Sequence, residues 1–524
     1  MQSKLMKQSA AILLLVLGFL SAVIAARHVA SPGYMDADYY YSMGIQWANG
    51  KGNEEPFLWN YLNDPTEIPT PSHAYWSPLT SIISGIALRI SGVGFRSAQL
   101  PFILFTALLP FFVWRLALKL NIGQQSALLA GTLATAPGFF LPFFVTTDVF
   151  SLYALLGALL MLTLLMTPGR RTPTLWVMIG VICGLAHLSR ADGFLFLVFP
   201  MGLILSRSTI RLRSIGLLIL GYLVVMAPWF YRNLLFLGSP LASGAGRTLW
   251  LLTYDEIFSY PASEINFVRW WASGLDQILL QRWSAVKVIT QRIVAENGLV
   301  FLIPFMMIGI VKNWRVALVR STVYYLGLLF VVMAFVFPMA GARGGWFHSS
   351  VAAMPLLWVM AANGLSVAVK WIGERRTWNV ARAKNVFGIT VVVFSMIFTW
   401  GLFLYRVVGV KSNDEHWNNS TAQYRELHQT ILERDAMPGL IALNNPPGFF
   451  HVSSMQAVVI PDGDIRTLKQ VVDEFGVSWV VLDQNHPEGL ESLFSLVDIP
   501  EWLLFEASLT SYGDSFVLFR VNGA

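Results

Sequence analysis

Apolar residues along this chain fall into long runs broken by short polar gaps. The runs lie at 10–26, 98–119, 124–143, 148–167, 174–188, 193–206, 214–236, 299–311, 321–339, 346–369 and 386–408. Most approach the roughly 20 residues that a helix needs to cross a bilayer. The pattern predicts a polytopic α-helical membrane protein with about eleven transmembrane helices. The run Tyr75–Ile90 is set apart, because it is short and carries Ser77, Pro78, Ser81, Ser84 and Arg89. It is expected as an amphipathic helix at the outer interface. Asp38–Asn49 is expected as a second such helix, with Asp36 near its N-terminal end. From about Lys411 the pattern changes to short apolar runs at Leu440–Leu443, Ala457–Ile460, Val477–Leu482 and Phe516–Val521, with helices at Ile465–Phe475 and Glu488–Phe494. The domain plan is thus a transmembrane domain over 1–410 and a small extracytoplasmic α/β domain over 411–524. Within the first, 30–97 is a loop with interfacial helices and 237–298 is a second large outer loop.

Composition agrees. Hydrophobic residues make up 55% and charged residues 13%, with mean hydropathy +0.58; a soluble domain carries roughly 25% charged residues. The single cysteine, Cys183, lies in an apolar run, which excludes a disulfide framework and a cysteine metal site. Charge placement gives an orientation. Lys4 and Lys7 precede the first run, which is read as an uncleaved span with a cytoplasmic N-terminus. Alternate gaps then hold Arg115 and Lys119; Arg170 and Arg171; Arg207, Arg211 and Arg213; Lys312, Arg315 and Arg320; and Lys370, Arg375, Arg376, Arg382 and Lys384. All five are basic, as cytoplasmic gaps should be, and an odd number of spans puts the C-terminus outside. The expected setting is the plasma membrane. No internal repeat is visible, which counts against transporter folds built from repeated halves.

The gaps assigned to the outside hold the candidate chemistry. The loop Tyr34–Pro78 brings Asp36, Asp38, Glu54, Glu55, Asp64 and Glu67 together with Trp47, Trp59, Trp76 and several tyrosines. Later outer gaps add Asp148; His187, Arg190 and Asp192; and Arg343 and His348. Ionisable residues at membrane depth are functional candidates by default.

Asp36-Ala-Asp38-Tyr-Tyr, Pro71-Ser-His-Ala-Tyr-Trp-Ser-Pro78 and Thr146-Thr-Asp148 resemble the GT-C superfamily of membrane glycosyltransferases, in particular its PMT/ArnT-like members (family 39, RgtA-like). Those begin with one span and an acidic motif just outside it, and place a second acid after the third span. The resemblance covers about 1–410 in architecture. It implies a sugar carried on a polyprenyl phosphate and transfer on the extracytoplasmic face. The acceptor is a glycan, a lipid or a protein, and no nucleic-acid partner is expected. Many relatives have Asp-Glu where this chain has Asp-Ala-Asp, so the catalytic role stays open between Asp36 and Asp38. The spelling is also similar to the Asp-x-Asp of oligosaccharyltransferases. It makes Asp36 and Asp38 the ligands of Mg or Mn if the reaction is metal-dependent; no cofactor is otherwise called for.

The chemistry needs these residue types. A lipid phosphate leaves as an anion, so the enzyme needs a base for the acceptor hydroxyl and cations for the phosphate. Inversion by one direct displacement needs one base. Asp36 is the choice, with Asp148 as the second acid. His73, Arg190, Arg343 and His348 are the candidate phosphate contacts. Trp47, Trp59 and Trp76 are candidate sugar or acceptor platforms. Each residue also has a plain structural use. Asp36 and Asp38 would cap a helix, Asp148 would cap the fourth span, and Arg190–Asp192 would be an ion pair. Arg343, His348 and the tryptophans would be interface anchors. Rival functions are a transporter or lipid flippase, a non-catalytic scaffold, and an O-antigen-ligase-like transferase.

Overall fold

The computed structural model describes residues 2–166, 173–205, 212–409 and 416–522. Arg170, Arg171, Arg207 and Arg211 of the basic gaps, and the boundary expected between 410 and 411, lie outside the described residues. Among the described residues, six helices are long and apolar enough to cross a membrane: Lys7–His28, Phe95–Lys119, Leu212–Leu237, Ala317–Val336, Pro338–Arg375 and Val380–Val408. A seventh arises if the bent pair Gln124–Leu133 and Gly138–Phe144 is one span. The other expected spans coincide with shorter apolar helices at Phe150–Met166, Pro173–Ser189, Ala191–Ile204 and Ile303–Lys312.

The chain divides into two compact units, with boundaries unlike those expected. One comprises Met1–Val29, Gln99–Tyr231 and Arg282–Ser412. The other comprises Ala30–Ala98, Arg232–Gln281 and Asn413–Ala524, so the first large loop and most of the second fold with the C-terminal segment.

In the first unit small residues let helix backbones meet. A Cβ on Gly309 would lie 2.0 Å from Met360 O, and one on Gly364 would lie 1.8 Å from Phe305 O. Lipid supplies no hydrophobic drive between helices, so close backbone packing of this kind does the joining. The bend after Leu133 frees backbone groups that need partners in an apolar setting. Side chains from other helices supply them. Ser21 Oγ donates to Thr135 O (3.0 Å), Thr106 Oγ1 to Phe144 O (2.8 Å) and Gln99 Nε2 to Val145 O (2.6 Å). Gly138 N in turn donates to Thr399 Oγ1 (3.0 Å). This tethering fixes the stretch that runs directly into Asp148.

In the second unit, helix Met35–Ala48 packs on helix Leu79–Ser91. The contact is tight because Gly44 faces Gly85, where a Cβ on Gly85 would lie 2.9 Å from Gly44 O. Helices are thus present at both stretches, the first starting three residues earlier than read. A six-stranded sheet runs in the order Phe57–Leu58, Ala457–Val459, Leu440–Leu443, Val477–Leu482, Asp514–Val521 and Leu503–Ser511. The first three pairings are parallel and the last two antiparallel. Helix Ile465–Phe475 falls where expected, started by Asp464, whose side chain accepts from Arg466 N and Thr467 N.

Candidate active site

In the first unit one short segment gathers the candidates. Trp346–Ser350 is a single helical turn that follows the π-helical turn Gly341–Gly345. His348 Nε2 faces Asp148 Oδ2 at 3.3 Å, and its Nδ1 faces Gly344 O at 2.9 Å. The imidazole lies 4.3 Å from the Phe150 ring. Ser349 donates to Asp192 and meets Arg190 Nε at 3.2 Å; Arg190 Nε also bonds Asp192 Oδ1 at 3.0 Å. Ser350 Oγ accepts from Asn297 Nδ2 (2.9 Å), and Trp346 Nε1 donates to Asn297 Oδ1 (3.0 Å). Neighbouring side chains of this turn thus reach the gap after the third span, the gap after the fifth and the end of the 237–298 segment.

Asp148 is fully buried, and its Oδ1 accepts from Val149 N at 2.6 Å. Arg190 forms the ion pair that its structural reading called for. Arg343 is exposed, and its carbonyl accepts from Arg292 Nη2. Arg292 pairs with Glu296. Asn297, Arg292 and Glu296 were missed, because a π-helical turn at Ile293–Asn297 has no periodic signature.

In the second unit, Asp36 stands in the first turn of Met35–Ala48 and is partly buried. The N-cap is Tyr34, so Asp36 is not the cap that its structural reading proposed. Its carboxylate there favours the helix dipole. Asp38 is only 1% exposed. Its Oδ1 is 3.0 Å from His451 Nε2 and its Oδ2 accepts from Asn445 Nδ2 at 2.9 Å. With both oxygens engaged, and Asp36 turned about 200° away around the helix, this pair does not fit a divalent ion. Asp38 is accordingly a poor candidate for the base. His451 and Asn445 were missed: Asn444–Gly448 reads as a turn, yet Asn445 caps helix Pro446–Ser453 with prolines in its first positions.

His73 is corrected as a cationic phosphate contact. It is 2% exposed, with Nε2 3.1 Å from Ser81 Oγ, and burial, reinforced by Arg232, pushes its pKa down to about 3. The ring is therefore neutral at physiological pH. Next to it lies Glu55, 5% exposed, whose Oε2 accepts from Tyr39 Oη (2.7 Å) and His73 N (3.2 Å). Burial lifts the Glu55 carboxyl to about 7 against the pull of Tyr39, His73 and Arg232. Arg232 donates to Ser72 Oγ (3.1 Å) and Asn53 O (3.3 Å).

The tryptophan platforms are also corrected in part. Trp59, 2% exposed, stacks on Trp76 at 3.8 Å with the rings 6° from parallel, and Tyr75 meets Trp59 edge-on. Tyr39 covers Trp76 edge-on at 4.7 Å. Trp47 lies against Gly52, where a Cβ would sit 2.4 Å from its ring. These rings pack against protein, and Trp59 has no open face for a sugar.

A family model described as dolichyl-phosphate-mannose-protein mannosyltransferase matches residues 72–231. That stretch contains His73, Asp148 and Arg190. No curated protein matches the chain. Among solved structures, the chain is similar to the apo oligosaccharyltransferase of Archaeoglobus fulgidus, at 14% identity and a TM-score of 0.58 over 90% of this chain and 69% of that one. It is similar to ArnT from Cupriavidus metallidurans bound to undecaprenyl phosphate, at 12% identity and a TM-score of 0.55 over 97% of both chains. The apo state of that ArnT gives 12% identity and a TM-score of 0.56 over 99% of this chain and 98% of that one. At these identities the likeness is one of fold.

Proposed function

We propose that this membrane protein of GT-C fold moves a sugar from a polyprenyl-phosphate donor to an acceptor hydroxyl on the extracytoplasmic face. The acceptor is a glycan, a lipid or a protein. The reaction is a single displacement with inversion. Asp36 takes the proton of the acceptor hydroxyl as its oxygen bonds to the anomeric carbon, and the lipid phosphate leaves with the electron pair of the broken bond. Little acid assistance is needed, because the leaving group is a stable anion. Arg343 supplies positive charge to it, and Arg190 holds Ser349 beside His348. Asp148 orients His348.

The observation that carries this reading is the contrast between two acids two residues apart. Asp38 is wholly engaged inside the protein, whereas Asp36 is only partly buried. The fold of the solved relatives and the ligand in the ArnT structure support the lipid-linked donor. The topology proposed with it has eleven spans, a cytoplasmic N-terminus and an extracytoplasmic C-terminal segment. Hydrogen bonds support it by joining gaps assigned to one side: Asp148, Asp192 and Asn297 with Trp346–Ser350, and Gln125 with Asn385 (2.6 Å).

The test is sugar transfer by purified protein from undecaprenyl phosphate carrying mannose, glucose or arabinose, using the donor that wild type turns over. Asp36→Asn keeps the shape and removes the proton acceptor. A general base contributes roughly 10²–10⁴-fold, so kcat should fall by that order while donor binding persists. Near wild-type turnover in Asp36→Asn refutes the assignment.

A further inference from the structure

The helix that carries Asp36 is gripped on both sides of that residue by the C-terminal segment of the same unit. On the N-terminal side, Asn418 Oδ1 accepts from Ala30 N (2.9 Å), Ser31 N (3.0 Å) and Ser31 Oγ (3.1 Å). Trp417 Nε1 donates to Ser31 O (3.1 Å), and the Trp417 ring meets Tyr34 edge-on at 5.6 Å. Gly33, at φ +92°, leaves room for that indole: a Cβ there would lie 2.2 Å from Nε1. On the C-terminal side, helix Pro446–Ser453 and its cap supply His451 and Asn445 to Asp38, and Pro447 O accepts from Ser42 Oγ (2.8 Å). The His451 ring also meets Tyr41 at 5.3 Å.

Burying a carboxylate is costly, and an apolar pair of similar size often serves stability as well or better. What the polar pair adds is direction. A helix turns about 100° per residue, so fixing Asp38 fixes the azimuth of every side chain in that turn. We infer that His451 and Asn445 are positioning residues for the transfer reaction: by holding Asp38 they set the rotation of helix Met35–Ala48, and so the direction in which Asp36 presents its carboxylate. The inference rests on the reading of Asp36 as the base. It makes the C-terminal segment part of the catalytic apparatus although it touches no reacting atom.

The test uses the full chain and the donor chosen above. Asn445→Asp keeps the helix cap, since Asp caps as well as Asn, but it sets a second carboxylate against Asp38. Misplacement of about 1 Å costs up to ~10²-fold in rate, so kcat should fall between about tenfold and a hundredfold, with donor KM within about twofold. His451→Ala should do the same. The swap Asp38→Asn with Asn445→Asp restores one donor and one acceptor in reversed order, and should recover most of the lost kcat. A purely structural role would not produce a fall in kcat alone that the swap reverses. Wild-type kcat in Asn445→Asp overturns the inference, as does a double variant that is unfolded or no faster than the single one. If Asp36→Asn is inactive while Asn445→Asp is normal, the inference fails and the base assignment stands. If Asp36→Asn is fully active, the base assignment fails and takes the inference with it.

Discussion

Replacing Glu55 with glutamine should change how stability depends on pH, in a direction fixed by the buried network around it. Glu55 moves from an ordinary 4.5 to about 7 because it is buried. A carboxyl raised in the folded state gives stability that is full below 4.5 and is lost as pH rises through 7. Each pKa unit corresponds to about 1.4 kcal/mol, so the whole effect is about 3 kcal/mol. His73 acts oppositely. Its pKa falls from 6.5 to about 3, so it gives stability that is present above 6.5 and lost as pH falls toward 3. Between pH 4.5 and 6.5 the two slopes offset each other in the wild type. The Glu55→Gln side chain keeps an oxygen for Tyr39 Oη and His73 N and removes one of the two titrations. The stability of Glu55→Gln relative to wild type should therefore rise by about 1.4 kcal/mol per pH unit from 4.5 to 7. At about 2.1 cal/mol/K of unfolding entropy per residue, a chain of 524 residues shifts by about 1 °C of Tm per kcal/mol, hence roughly 3 °C over the window. Thermal unfolding in lipid nanodiscs, followed by tryptophan fluorescence, reads it. A difference between variant and wild type that does not change with pH would show that Glu55 ionises as an ordinary surface acid.

With the Arg343 guanidinium serving the donor phosphate, Arg343→Ala should raise donor KM or lower kcat more than Arg343→Lys does, because Lys keeps the charge and loses only the fork; full activity in Arg343→Ala makes it structural. Met437 is 89% exposed, and the one native cysteine, Cys183, is buried. Met437→Cys should thus be labelled by a membrane-impermeant maleimide in intact cells, and protection there refutes the proposed orientation.

What the sequence revealed and what it hid divide along physical lines. Apolar periodicity is local, so the long helices, helix Ile465–Phe475 and strands Leu440–Leu443 and Val477–Leu482 were legible. So were Asp148, Arg190 and His348, since ionisable groups beside apolar runs stand out. Strand Phe57–Leu58 was not legible: two residues carry no period, and their partner is Ala457–Val458 in the distant C-terminal segment. Strand Leu503–Ser511 is an outer strand of the sheet with mixed burial, which blurs its alternation. The difference between Asp36 and Asp38 was hidden for the same reason, because His451 and Asn445 lie more than 400 residues along the chain. Trp59 and Trp76 looked like platforms because aromatic residues in an outer loop suit either sugar or core. Their mutual stacking at 3.8 Å closes one face of each ring, and Trp59 is buried besides.

The two units use polar groups in different ways. In the first, Asn297, Asp192 and Asp148 each meet a side chain of one five-residue turn, and almost nothing there is exposed. In a low-dielectric setting an unmatched polar group is expensive. Moving any one of these helices by a fraction of a turn would strand several such groups at once. Asp148 and His348 therefore inherit the rigidity of the whole helix assembly, which suits groups that orient rather than move. In the second unit Glu55 and His73 are buried neutral at mildly acidic pH, with Tyr39 and Ser81 as partners. The Arg232 guanidinium, bonded to Ser72 and Asn53, is the charged member of that network when Glu55 and His73 are neutral. The fixed carboxylate of Asp38 and the partly buried one of Asp36 are the acids of that helix, and the proposed proton transfer is assigned to the second.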